Sequence, residues 1–235
     1  AGAMQAHLQQ AFFGATDAAT GTSGYTIVQC KPGKASYLDG EGCLLRYEIQ
    51  LQQATSGETT TALLLAHIFA DLAEAEAYLH GRLAPLATKV QGRPELAPFA
   101  DSPRGPLALL AELNMVVSVF PLDGELPALI GATNRQRMTQ FFDETLPEAH
   151  GQHFVVDDCT IDAGHYGRQH RCVLRYTVDG RWVDANQQTV RQERQVIYGK
   201  VAADDRCKVV GMVLSALHWQ MAPVKSSRRF VLPRI

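Results

Sequence analysis

The sequence predicts an α+β protein made of two similar units, each an antiparallel sheet backed by one helix. The main observation is a repeat, because Cys30 and Cys43 return 129 residues later as Cys159 and Cys172. The second cysteine of each pair opens a matching stretch, Leu-Leu-Arg-Tyr in the first copy and Val-Leu-Arg-Tyr in the second. A fixed long period usually marks one supersecondary unit used more than once. We therefore expect a duplicated domain or a pair of packed half-domains.

The first copy contains three segments with strand-like patterns. Residues 25–30 and 43–51 flank a glycine-containing loop and predict a hairpin. Residues 61–70 form a nearly continuous apolar run, which predicts a third strand that is buried on both faces. Asp71 follows at an N-cap position, and the apolar stripe behind it predicts a helix that ends near Pro85.

The second copy predicts the same elements in the same order. Its strands are expected at residues 154–159, 172–178 and 195–202, and its helix at residues 204–217. The third strand aligns with that of the first copy once the connection before it is made four residues longer. A further strand is predicted to begin at Phe230.

The segment between the copies is expected to contain three elements. A proline-rich linker covers residues 94–106, a strand is predicted at 113–120 and an amphipathic helix at 135–146. We expect the first unit, with this linker and helix, to comprise residues 5–150. The second unit is expected to comprise residues 151–235.

Length, composition and charge exclude several classes of protein. The chain has 235 residues, of which 46% are hydrophobic, and this is enough for a proper core. A net charge of −2 with intermixed signs does not indicate binding to nucleic acid or to an anionic membrane. No apolar run approaches the roughly 20 residues that span a bilayer, and the amino terminus lacks a secretory pattern.

Cysteine and histidine spacing does not predict a metal site. The five cysteines are an odd number, and two pairs separated by twelve residues do not form a compact zinc motif. His150, His153, His165 and His170 cluster in the sequence without a metalloprotease spacing. We expect the paired cysteines to be small buried side chains in a cytoplasmic protein, with cross-strand disulfides or a shared metal as alternatives.

Two stretches of the second copy carry a family resemblance. Residues 171–176, RCVLRY, and residues 196–201, VIYGKV, resemble the amino-terminal region of aminoglycoside-phosphotransferase-like proteins, a branch of the protein-kinase-like superfamily. Residues 31–34, KPGK, and 119–127, VFPLDGELP, are similar to other parts of the same group. The resemblance covers most of residues 25–235 and implies that each unit is like the small lobe of a kinase.

The resemblance implies a nucleotide-binding role for one strand and one loop. Lys200, on the third strand, would face the α- and β-phosphates of ATP. The loop at residues 163–168, with Gly164, His165 and Gly167, would lie over the phosphates. The residues alone leave two alternatives open, namely an exposed lysine at a strand end and an ordinary hairpin connection.

The sequence departs from the kinase pattern in ways that affect activity. After Lys200, the predicted helix offers only Asp204 and Asp205, at its beginning, as acidic partners for the lysine. In the first copy, His67 stands in the lysine's place. Neither a His-x-Asp-x-x-x-x-Asn motif nor an Asp-Phe-Gly motif occurs, although phosphoryl transfer requires the groups that these motifs supply. ATP with Mg²⁺ is therefore expected only together with a separate large lobe.

Two functions remain as sequence-based hypotheses. The chain is either the nucleotide-facing amino-terminal region of a kinase-like phosphotransferase, or a non-catalytic binding or regulatory module built on a duplicated lobe. The first hypothesis implies a carboxy-terminal large lobe as partner, and the second a protein partner. Self-association into a homo-oligomer is also expected if a hydrophobic face is exposed.

Overall fold

The computed structural model describes residues 2–14, 24–38, 42–146, 152–167 and 171–203. The chain divides into two compact units, Ala1–Pro127 and Ala128–Ile235. Each unit contains an antiparallel sheet together with helices, which confirms the predicted α+β class. The division assigns residues 128–150 to the second unit, whereas the sequence placed them with the first.

The first unit begins with a helix and continues with a sheet. Its elements before the central helical segment are α1 (Gly2–Phe13), β1 (Tyr25–Pro32), β2 (Ser36–Leu38), β3 (Gly42–Gln53) and β4 (Thr59–Ile68). Its later elements are α2 (Leu72–Tyr78), a π-helical segment (Leu79–Leu83), α3 (Ala84–Ala87), β5 (Leu107–Leu110) and β6 (Met115–Val119). Short 3₁₀ segments cover Thr88–Val90, Pro94–Phe99 and Ala111–Leu113.

The sheet of the first unit is fully antiparallel. Its strand order is β1-β3-β4-β6-β5, and β2 pairs with β3 beside β1. Helix α1 packs on this sheet through Leu8 and Phe12, both fully buried. Phe12 contacts Phe99 edge to face, with ring centroids 5.1 Å apart.

The second unit has a smaller sheet, and its three strands have 13 to 15 residues each. Its elements are α4 (Leu129–Ala132), α5 (Arg135–Thr145), β7 (His153–Gly167), β8 (Arg171–Val183) and β9 (Thr189–Ala202). The three strands pair antiparallel in the order β7-β8-β9. The predicted helix at 204–217 and the predicted strand at Phe230 lie outside the described residues.

Strand pairing is the same in both copies, residue by residue. Cys30 lies opposite Ile49, and its counterpart Cys159 lies opposite Val178, the counterpart of Ile49. Cys43 lies opposite Ile68. Cys172 correspondingly lies opposite Val201, with the shift of four residues that the longer connection predicts. The predicted duplication is therefore present as a common register within the two sheets.

The common register includes an irregularity in the first strand. The β1–β3 register shifts between Ile27 and Gln29, and the β7–β8 register shifts at the matching place between Val156 and Asp158. A bulge of this kind leaves one residue unpaired and increases the local twist. Both copies thus keep the same bend in the strand that opens the sheet.

A helix precedes the sheet in both copies and binds the backbone beside the bulge. In the first unit the Ile27 N–H donates to Gln9 Oε1 of α1 at 2.7 Å. In the second unit the Val156 N–H donates to Asp143 Oδ1 of α5 at 2.9 Å. The repeat is therefore longer than the sequence predicted, because each copy also includes a helix on its amino-terminal side.

Replacing Asp143 with alanine tests this helix–strand contact. The Val156 N–H would lose its acceptor, and we expect the free energy of unfolding to fall by about 1 kcal/mol. Asp143→Asn keeps an acceptor oxygen at the same place and is the matched control. Urea unfolding of both variants measures the effect. Equal losses in the two variants would show that the hydrogen bond has no role.

Several predicted boundaries are wrong for physical reasons. The helix that was expected to end near Pro85 continues, because the π-helical segment leads into α3 with Pro85 in its first turn. Asp71 does cap α2, accepting from the Glu74 N–H at 2.9 Å. The proline-rich linker contains the 3₁₀ segment Pro94–Phe99 and is followed directly by β5, and α1 was not predicted at all.

In the part of the chain that the structure describes, none of the helices has both the length and the apolar character needed to cross a membrane.

Candidate functional site

The second sheet has one covered face and one face with many exposed side chains. The covered face carries the cysteines and the tyrosine of the repeat, Cys159, Cys172 and Tyr176, all buried. Helix α5 packs on this face, where the Phe142 and Tyr176 rings meet edge to face at 5.2 Å. The Tyr176 hydroxyl donates to the Ala132 carbonyl at 2.9 Å. This side of the sheet is a structural core.

We call the opposite side the open face. Side chains alternate between the two faces along a strand, so the register defines its members. They include Asp158, Thr160, Asp162, His165, Arg171, Val173, Arg175, Thr177, Asp179, Arg181, Arg194, Val196, Tyr198, Lys200 and Ala202.

The structure brings two predicted site residues, Lys200 and His165, into one row of the open face. Lys200 on β9 lies opposite Val173 on β8, and Val173 lies opposite His165 on β7. The outer two positions of such a row are two strand spacings apart, about 10 Å. His165 is exposed and Lys200 is half-buried. Both therefore belong to the same row of this face.

The predicted glycine loop is a strand. Gly164 and Gly167 belong to β7, which continues to Gly167 opposite Arg171. The register shifts between Ala163 and His165, so Gly164 lies at a second irregularity of the strand. Any connection between β7 and β8 is confined to residues 168–170, outside the described residues. The phosphate role assigned to the two glycines stays a prediction.

An exposed apolar strip lies beside Lys200. Tyr198 and Val196 precede it on β9 at intervals of two residues and share its face, with 49% and 45% of their surface exposed. Val173, next to Lys200 on the neighbouring strand, is half-buried. Exposed large apolar side chains that adjoin one another are typical of a binding surface.

Charges on the open face are distributed unevenly along the strands. At the end remote from Lys200, Arg194 contacts both carboxylate oxygens of Asp179, at 2.6 and 3.1 Å. In the middle, Arg175 lies 3.7 Å from Asp162. The end near Lys200 carries a further cation, the exposed Arg171.

The first unit fills the corresponding place with aromatic side chains. His67, the counterpart of Lys200, is only 7% exposed. Its ring meets Tyr78 of α2 edge to face at 5.1 Å and lies 5.6 Å from Phe69. Burial, and then the nearby carboxylates of Asp123 and Glu125, raise the pKa of Tyr78 above its ordinary value. The first unit thus has a packed cluster where the second has a lysine.

This cluster is fixed by contacts with the turn that follows β6. Tyr78 packs so closely on Gly124 that a side chain there would lie 2.7 Å from the tyrosine oxygen. Arg82 forms an ion pair with Glu125 at 2.6 Å. The aromatic cluster is therefore part of the framework of the first unit and leaves little room for a ligand.

The four paired cysteines are free thiols that are buried or half-buried, in agreement with the prediction of small buried side chains. Cys30, Cys159 and Cys172 are buried, and Cys43 is half-buried. Burial, with a smaller contribution from the Asp158 carboxylate, raises the pKa of Cys159 to about 11. Such a thiol is protonated at neutral pH and is a poor nucleophile or metal ligand.

Metal-binding side chains do not assemble in the part of the chain that the structure describes. There, no group of three or more histidine, cysteine, aspartate or glutamate side chains could hold a metal ion. Of the clustered histidines, His153 and His165 lie at opposite ends of β7. His150 and His170 lie outside the described residues.

Sequence reasoning named Lys200 and His165 but missed three neighbours on the same face. Tyr198 and Val196 carry the apolar strip, and Arg171 adds a cation. The two-residue period of a strand could have identified Tyr198 and Val196, because residues two and four positions before Lys200 lie on its face.

Comparisons of the chain with protein-family models, with curated proteins and with solved structures give no match. The resemblance to phosphotransferases therefore stays a prediction, and the geometry of the open face is the basis for a functional proposal.

Proposed function

We propose that the second unit is the nucleotide-facing part of a kinase-like phosphotransferase and that the nucleotide binds on its open face. One observation carries this proposal: Lys200 lies beside two exposed apolar side chains, Val196 and Tyr198, on the same strand and the same face. A cation next to an apolar platform suits a ligand that has phosphates at one end and a base at the other.

Each part of this surface has a physical role. An ammonium group attracts phosphate oxygens and acts as a compact point charge. The exposed ring of Tyr198 offers a flat surface for a base, and such stacking contributes about 1–3 kcal/mol per base. His165, in the same row as Lys200, lies on the phosphate side of the surface.

The proposed site needs a second component for catalysis. Kinases carry the catalytic aspartate and the Mg²⁺ ligands on the large lobe, and this sequence contains neither of the corresponding motifs. A carboxy-terminal large lobe is therefore the proposed partner. ATP with Mg²⁺ is the proposed ligand of the joined lobes, and the second unit alone is expected to bind the nucleotide without the metal. The proposal places the protein in the cytoplasm, where thiols stay reduced.

Thermal unfolding with and without ATP tests the proposal. Ligand at 100 times its Kd stabilises a protein by about 2.7 kcal/mol, so Tm is expected to rise with the ATP concentration. Lys200→Ala is expected to weaken ATP binding by about tenfold or more, because a charged contact is worth at least about 1.5 kcal/mol.

The control for this experiment is Lys31→Ala, which removes an exposed lysine from β1 of the first unit. Its Tm is expected to respond to ATP as that of the unmodified chain does. The proposal is wrong if ATP produces no shift, or if Lys200→Ala and Lys31→Ala respond alike.

The first unit favours a second candidate function, a non-catalytic binding or regulatory module. It shows that the repeated unit keeps its sheet when the lysine position is taken by the buried His67. The same scaffold in the second unit would then present its open face to a protein partner. Absence of any effect of ATP, together with a stable fold of Lys200→Ala, is the result expected from such a module.

A further inference from the structure

The two copies differ in how far one face of the sheet is buried. On the face that carries His67 in the first copy, Leu44 and Leu65 are both buried. Their counterparts on the open face are Val173, which is half-buried, and Tyr198, which is 49% exposed. The second copy therefore exposes apolar side chains at positions that the first copy buries.

In the first copy, the helix that follows the third strand covers this face. Tyr78 of α2 contacts the His67 ring edge to face, with ring centroids 5.1 Å apart. Helix α2 also packs on β6, the strand next to β4 in the sheet. Its N-cap, Asp71, comes shortly after Ile68, where β4 ends. A short connection therefore leads the chain from the third strand directly onto the face.

The sequence after β9 has the same features. Asp204 follows Val201 at the interval at which Asp71 follows Ile68, the counterpart of Val201. Aspartate is among the preferred N-cap residues. Five apolar residues then recur at helical spacing, namely Val209, Val210, Val213, Leu214 and Leu217. This stretch lies outside the described residues, and its sequence predicts an amphipathic helix.

The predicted helix and the exposed strip of the open face agree in length and lie next to each other in the chain. Along a helix, the stretch from Val209 to Leu217 extends about 12 Å. Along β9, the stretch from Val196 to Lys200 extends about 13 Å. Since β9 ends at Ala202, the segment that follows is tethered beside the strip at a high effective concentration. The segment of the same chain is thus favoured over a separate partner.

We propose that residues 204–217 form a helix that docks on the open face, over Val173, Val196 and Tyr198. Burial of each large apolar side chain of the helix contributes about 1.5–3 kcal/mol to this docking. The inference goes beyond the proposed function and does not depend on it. A base stacked on Tyr198 and the docked helix exclude each other, so the segment is an internal competitor of the proposed nucleotide.

Hydrogen–deuterium exchange of the whole chain, without nucleotide, tests the inference. The amides of residues 204–217 are expected to exchange at least about tenfold more slowly than in an unstructured peptide, because docking protects the hydrogen bonds of the helix. Leu214→Asp is expected to remove most of this protection, since it places a charge on the docked side of the helix. Ser215→Asp places the same charge on the opposite side of the helix and is expected to keep the protection.

A substitution on the sheet is the reciprocal test. Tyr198→Ser is expected to speed the exchange of residues 204–217 about tenfold or more, because the helix loses a large apolar contact. Tyr37→Ser removes an exposed tyrosine from β2 of the first unit and should leave this exchange unchanged. Exchange along β8, measured in the same samples, shows that the sheet stays folded.

Three results would overturn docking within one chain. The first is exchange of residues 204–217 in the unmodified chain as fast as in an unstructured peptide. The second is protection that neither Tyr198→Ser nor Leu214→Asp reduces more than its control does, because the segment would then dock elsewhere. The third is protection that rises with protein concentration, which would assign the open face to a second copy. None of these measurements involves ATP, so their failure is distinct from failure of the proposed function.

Discussion

Gly42→Ala is expected to destabilise the first unit by about 3 kcal/mol or more. Gly42 has φ +97°, a conformation that side chains rarely adopt. An added Cβ would also overlap the carbonyl oxygen of Ile68 on the adjacent strand. The backbone of β3 or β4 would have to move, and the pairing of Cys43 with Ile68 would be disturbed.

Gly57→Ala is the matched control for this prediction. Gly57 also has positive φ, at +71°, but nothing lies within 4 Å of an added Cβ. Gly57→Ala is therefore expected to lower the free energy of unfolding only through the backbone conformation, by about 1 kcal/mol. Urea unfolding of both variants gives the difference. If both variants lose a similar free energy of unfolding, the close approach of Ile68 to Gly42 does not contribute to the effect of Gly42→Ala.

Register within the sheets could be predicted from the sequence because it follows from side-chain alternation. One face of each sheet is buried, so a slip of one residue would expose Cys30 or Tyr47 and bury their polar neighbours. The repeated cysteine, arginine and tyrosine therefore fix the pairing in both copies. The four-residue shift of the third strand was also predicted correctly. The extra residues lengthen β8 and β9, however, and do not lengthen the connection, which covers residues 54–58 in the first copy and 184–188 in the second.

Strand lengths in the second unit could not be predicted in the same way. The extensions of β8 and β9 carry charged residues that locally indicate a loop. In the sheet these charges pair across strands, as Arg194 does with Asp179 at 2.6 Å. Trp182 adds a hydrogen bond to Glu193 at 2.7 Å. Such pairs stabilise a strand only once its partner is known, so a local pattern underestimates the length.

Helix α1 was missed because its sequence signal is weak. Only Leu8 and Phe12 are buried in it, one turn apart, and no acidic residue lies in its first turn. The helix is recognised mainly from its tertiary contacts, which include the hydrogen bond between the Ile27 N–H and Gln9. Propensity is a weak indicator for a short helix of this kind, and packing decides.

The candidate site was predicted in part, and the errors arise where the pairing of the strands has to be known. Lys200 and His165 were named for a motif, and the register brings both onto one face. Gly164 and Gly167 were interpreted as a loop because glycine is rare inside strands, but a strand irregularity accommodates Gly164. Arg171 was treated only as the start of a motif. Its position beside Lys200 requires the pairing of β8 with β9.

Tyr176→Ala is expected to destabilise the second unit by about 4 kcal/mol. The side chain is 1% exposed and lies between α5 and the sheet. Its ring contacts Phe142 and packs against Gly199, where an added Cβ would lie 2.7 Å from the ring. Truncation leaves a large cavity that these rigid neighbours cannot fill. The loss is measured by urea unfolding.

Tyr176→Phe separates the hydrogen bond from the packing. The ring stays in place, but the Ala132 carbonyl loses its donor, and we expect a loss of about 1 kcal/mol. Burial raises the pKa of the Tyr176 hydroxyl above its ordinary value, so this bond is expected to persist throughout the neutral range and the difference between the variants to be independent of pH there. A loss in Tyr176→Phe as large as that in Tyr176→Ala would show that the hydrogen bond to α4, rather than the packing of the ring against α5, accounts for the effect.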